Sequence, residues 1–179
     1  MLKTILLSLF IVVPALSAIP QDLVGTWVQP CKQKAVRTEV FSEETASLTE
    51  VYYLDNNCSQ PLIAFQNDGE VVASAGEMDF RFTRVAMTLF HSDFVDDYNA
   101  RAVCGFTDWQ LGVEKEITAL PCALFTAKPT QTPRAGDMRY GIYMIQANRL
   151  YFGKMTMQRN ALSPEKRPNE FDIRFYVRQ

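Results

Sequence analysis

The chain has 179 residues, 47% of them hydrophobic and 12% aromatic, and a formal net charge of −2. That is the size and make-up of one domain with a full core, and it excludes a disordered chain. It also excludes a dedicated nucleic-acid binder, which carries a basic excess. The charge is unevenly placed, with 7 bases and 16 acids in residues 19–127 but 10 bases and 4 acids in 128–179. An acidic body is followed by a basic last third.

Taken in chain order, the first element is a leader. A basic start ending at Lys3, an apolar run over residues 5–13 and a small-residue exit at 14–18 form a secretory signal, cut after Ala18 or Ser17. The apolar run is too short for a spanning helix, which needs about 18 such residues. Residues 1–18 are therefore read as signal peptide and 19–179 as a single secreted or periplasmic domain. "LVGTWV" opens the first strand, where Gly25 permits a tight entry and Trp27 offers a large apolar plug.

Further strands are expected at 36–41, 48–54 and 62–66. "MDFRF" alternates, with Met78, Phe80 and Phe82 against Asp79 and Arg81, and "VAMTLF" puts Val85, Met87 and Leu89 on one face. Residues 93–99 read as the one helix, with Ser92 as N-cap and Phe94 and Tyr98 at i, i+4. "YGIYMIQANRLYFG" reads as a hairpin turning at 146–148, and "FDIRFYVRQ" as a last strand with Phe171, Ile173, Phe175 and Val177 inward and Arg174 and Arg178 outward. "DNN" before Cys58, "NDG" at 67–69 and "AGE" at 75–77 carry turn chemistry, and 127–137 is a Pro/Gly-rich surface loop. Many short strands with one short helix predict an all-β fold, a closed antiparallel barrel of about eight strands.

Four cysteines in an exported chain imply two disulfides, with three connectivities open. Cys31–Cys58 and Cys104–Cys122 are favoured because each closes a modest local loop, worth about 3 kcal/mol in the chain-entropy model. A zinc site is disfavoured, since there is no C-x2-C pair and His91 is the only histidine.

Catalytic patterns are lacking. His91 has no G-x-S-x-G elbow to serve, Asp96 and Asp97 diverge by about 100 degrees on a helix, and no phosphate loop or dinucleotide fingerprint occurs. No enzyme, cofactor or metal is expected. What stands out is apolar surplus: in the 140–153 hairpin both faces are apolar, with Tyr140, Ile142 and Met144 on one and Tyr143 and Ile145 on the other. Two readings stay open. Either the core is filled and a helix packs outside, leaving the rim loops to recognise a protein partner, or the lumen has room for a lipid or other small hydrophobic ligand. In the second reading the lumen is lined by Trp27, Tyr53, Phe80, Phe82, Met87, Ile142, Met144, Phe152, Ile173 and Phe175, in a monomer. The basic last third would neutralise itself in surface ion pairs or make weak contact with an anionic membrane.

The Gly-x-Trp opening resembles the lipocalin start. The order "GTWVQPC", "VYYLDNNCSQP", "CGFTDWQLGVEKEITALPC", "NRLYFGKM" and "KRP" resembles the adenomatosis-polyposis-coli-down-regulated (APCDD) domain family over nearly all of residues 19–179. That resemblance implies a lipocalin-like (calycin-type) barrel that binds lipid. Animal members bind lipid-modified Wnt proteins and antagonise their signalling. This chain is read as departing from them, with a single domain and no C-terminal membrane span expected.

Overall fold

A computed structural model describes residues 19–125 and 128–179, so the leader expected at 1–18 lies outside the described residues. Strands dominate: β1 (Gly25–Lys32), β2 (Ala35–Phe41), β3 (Thr45–Tyr53), β4 (Pro61–Ser74) and β5 (Glu77–Leu89) form an antiparallel meander. The helix α1 (Ser92–Ala100) follows, then β6 (Glu114–Glu116), β7 (Pro121–Cys122) and β8 (Thr130–Gln131). The chain ends with β9 (Met138–Gln146), β10 (Arg149–Gly153) and β11 (Phe171–Arg178). β5 pairs with β9, and β11 returns to β1 in the register Trp27↔Arg178 and Val28↔Val177, which closes an eight-stranded antiparallel barrel. Beyond Arg81, β5 leaves β9 and takes β6 as its neighbour, while β7 and β8 form a separate ribbon.

One end of the barrel is shut. Trp27 is 1% exposed over buried Ile19 and Leu23, and its indole Nε1 donates to the Leu23 carbonyl at 2.8 Å. Arg178 lies over the Trp27 ring at 4.8 Å and donates to the carbonyls of Asp22 and Val24. Guanidinium stacked on indole, with the buried indole N–H satisfied, seals the base. At the other end a disulfide ties Cys31, near the end of β1, to Cys58 in the turn after β3. The Asp55 carboxylate organises that turn by accepting the N–H groups of Asn57, Ser59 and Gln60. A second disulfide, Cys104–Cys122, pins the 90–125 excursion around Tyr98 and Trp109. Asn99 locks that excursion from both sides, donating to the Trp109 carbonyl and accepting its N–H. Both disulfides fit an extracytoplasmic protein.

Several expectations change. "NDG" is not a turn: Asn67, Asp68 and Gly69 lie inside the 14-residue β4. The inward residues of β5 switch from even (Met78, Phe80, Phe82) to odd (Val85, Met87, Leu89), and that parity slip marks a β-bulge, where Gly69 pairs with Phe82 but Asp68 with Arg84. Gly69 is required there. A Cβ on it would stand 2.5 Å from the Arg81 carbonyl oxygen and from the Phe80 ring. Gly69→Ala is accordingly expected to cost about 1–3 kcal/mol, the range for overpacking, read from the urea midpoint. An unchanged midpoint would mean that the bulge relaxes freely.

Ser92 is the first residue of α1 rather than its cap; His91 takes the N-cap position and makes no side-chain cap bond. The second apolar face of β9 is covered, but not by a helix. The β10–β11 connection does it, with Tyr140 N–H donating to the Ala161 carbonyl and Arg167 lying over the Tyr140 ring.

β11 runs in the opposite phase from the one expected. Tyr176 is 6% exposed while Ile173 is 85% exposed, so Asp172, Arg174 and Tyr176 face inward. Period two identifies a strand; it cannot say which face is inside when the lumen itself holds charge. Three basic residues of the last third are held by partners within the protein. Arg174 pairs with Asp172 inside the barrel, Arg167 pairs with Glu77 and Asp79, and Arg178 is bound at the base.

Candidate functional site: a charged belt in an apolar lumen

A cavity of about 410 Å³ occupies the middle of the barrel, within the range of small-ligand sites. Its apolar wall comes from Phe41, Leu48, Met78, Phe80 and Phe152, and Met155, Ala161 and Pro168 of the β10–β11 connection complete it. Met155 is largely exposed, so this connection stands where the cavity meets solvent.

The rest of the wall is polar. β2 alternates so that Ala35, Arg37, Glu39 and Phe41 share its inner face, and the facing strands β1 and β3 supply Gln29 and Glu50. Arg37 pairs with Glu50 at 2.5 Å and donates to the Gln29 amide oxygen at 3.3 Å. On β11, next to β1, Arg174 pairs with Asp172 at 2.5 Å, and that hydrogen bond holds the Asp172 carboxyl down at about 2. Glu39 sits between the two pairs, 6% exposed. Burial pushes its carboxyl up to about 8, against a weaker opposing pull from the Tyr176 hydroxyl and Arg37. Burial also raises Tyr176, helped by the Glu39 charge. At neutral pH the wall therefore holds two internally compensated ion pairs and one protonated carboxyl.

Arg139 of β9 is different. It lines the cavity with its guanidinium over the Phe82 ring at 5.3 Å, and its Nη1 donates to the Met138 carbonyl. Among the described residues no three His, Cys, Asp or Glu side chains come together as a metal site.

Of the ten residues expected on the lumen wall, Phe80, Ile142 and Phe152 line this cavity. Ile142 reaches it beside Gly153 and Pro168. Trp27, Phe82 and Met87 are buried in the packed core instead. Tyr53 and Met144 alternate with the inward Tyr52 and Tyr143 and so lie on the outer side, as do Ile173 and Phe175, the latter under Arg149. Sequence reading missed Gln29, Arg37, Glu39, Glu50, Arg139, Asp172, Arg174 and Tyr176. The available signal was "AVRTEVF", where Arg37 and Glu39 share parity with Ala35 and Phe41.

Compared with protein-family models and with curated proteins, the chain matches none.

Proposed function

We propose that the protein is an exported, non-enzymatic carrier or receptor that takes one lipid or other small hydrophobic molecule into its barrel. The observation that carries this reading is the central cavity, apolar on one side and continuous with the exposed Met155. A closed base sealed by Trp27 and Arg178 leaves the β10–β11 side as the place of entry. The leader-like start and the resemblance to the APCDD family support the same reading. The alternative of a filled core serving only as a scaffold for rim loops is less favoured, because the cavity is of ligand size.

Titration with a dansylated fatty acid tests it. The parent protein is expected to enhance the dansyl emission saturably at one equivalent. Leu48→Trp, which fills the cavity from β3, is expected to weaken binding at least ten-fold while keeping the parent's circular dichroism. No enhancement by the parent would sink the proposal.

A further inference from the structure

Resting on the lumen reading above, the wall's charge pattern goes further and names the ligand's head group. Two guanidinium groups on the wall are already matched, Arg37 by Glu50 and Arg174 by Asp172. Glu39, buried and protonated to about pH 8, adds no charge at neutral pH. Arg139 is left as the cavity's one uncompensated cation, for among the described residues no carboxylate lies within ion-pair distance of it. Among the described residues one protein acceptor, the Met138 carbonyl, meets its donors. An arginine carries five N–H donors in a planar fork, so most of its capacity to bind an anion is unused. The Phe82 ring beneath the guanidinium shields that side from water, which strengthens an ion pair formed with it.

We infer that the cavity takes a single-chain amphiphile with a monoanionic head, a carboxylate above all, whose charge pairs with Arg139 while its chain lies against Phe80, Phe41, Leu48 and Phe152. The chemistry fits on each count. One uncompensated positive charge matches one negative charge. A zwitterionic or cationic head would leave Arg139 unmatched in a partly desolvated place, and an uncharged ligand would leave its donors unused. The limited volume argues for one chain rather than two.

Isothermal titration with dodecanoate and with dodecanol at pH 7 separates head from chain. Dodecanoate is expected to bind the parent at least ten-fold more tightly than dodecanol. Arg139→Gln is expected to abolish that preference by weakening dodecanoate at least ten-fold, whereas Arg139→Lys, which keeps a cation, retains most of it. Equal affinities in the parent, or an acid preference that survives in Arg139→Gln, would overturn the head-group assignment and leave the lumen reading standing. Failure of both ligands to bind the parent would overturn both.

Discussion

Replacing Trp27 with alanine is expected to cost about 3–5 kcal/mol, the range for deleting a buried large aromatic. The ring is all but inaccessible and fills the closed end above Ile19 and Leu23. Its removal leaves a cavity, strips the Leu23 carbonyl of its donor and takes the ring from beneath the Arg178 guanidinium. The barrel closes through that same neighbourhood, since Trp27 and Arg178 are cross-strand partners of β1 and β11. Trp27→Phe separates these contributions. It keeps most of the apolar volume and loses the indole N–H, so it is expected to cost less, with about 1 kcal/mol of its loss coming from the missing hydrogen bond. Urea unfolding followed by far-ultraviolet circular dichroism measures both. A Trp27→Ala midpoint close to that of the parent would mean that the indole does not seal the base.

The second large effect concerns Glu39 and runs in the stabilising direction. In the folded protein its carboxyl stays protonated up to about pH 8, whereas the ordinary value is 4.5. Between those values the folded state holds a proton that the unfolded state has released. Stability from this group is therefore complete below about pH 4.5 and is lost as pH rises toward 8, by about 1.4 kcal/mol per unit over the steepest part. Glu39→Gln, a neutral isostere able to bond the Tyr176 hydroxyl, removes that dependence. It is expected to be more stable than the parent by on the order of 2–3 kcal/mol at pH 7, with the difference vanishing near pH 4.5. Taking the difference between the two proteins cancels the other titrating groups, including Asp172, whose depressed carboxyl acts only in acid. A difference that stays constant from pH 4.5 to 8 would show that Glu39 is not held neutral by burial.

Much of the barrel was legible because its strands obey period two and its turns carry turn residues. "AGE" and the turn at 146–148 are tight hairpins, with Ala75, Gly76, Ala147 and Asn148 all at positive φ. The pairing of Cys31 with Cys58 and of Cys104 with Cys122 followed from loop length alone. The lumen was less legible, for a physical reason. Hydrophobic alternation assigns the inside on the premise that the inside is apolar, and β2 and β11 violate it. Val36 and Val40 point outward from β2 while Glu39 is buried. On β11 an Asp172–Arg174 pair two residues apart neutralises itself inside, and Ile173 between them is left to solvent. Such inversions are affordable only where each charge meets a partner: Arg174 meets Asp172 on its own strand, Arg37 meets Glu50 on the neighbouring β3, and Glu39 meets Tyr176 past β1.

The most direct test is native mass spectrometry of the protein, purified without detergent or added lipid and sprayed before and after organic extraction. A lumen that holds one small amphiphile predicts a population carrying a single added molecule, lost on extraction and restored by incubation with a mixed fatty-acid extract. A bare polypeptide mass under all three conditions would contradict it.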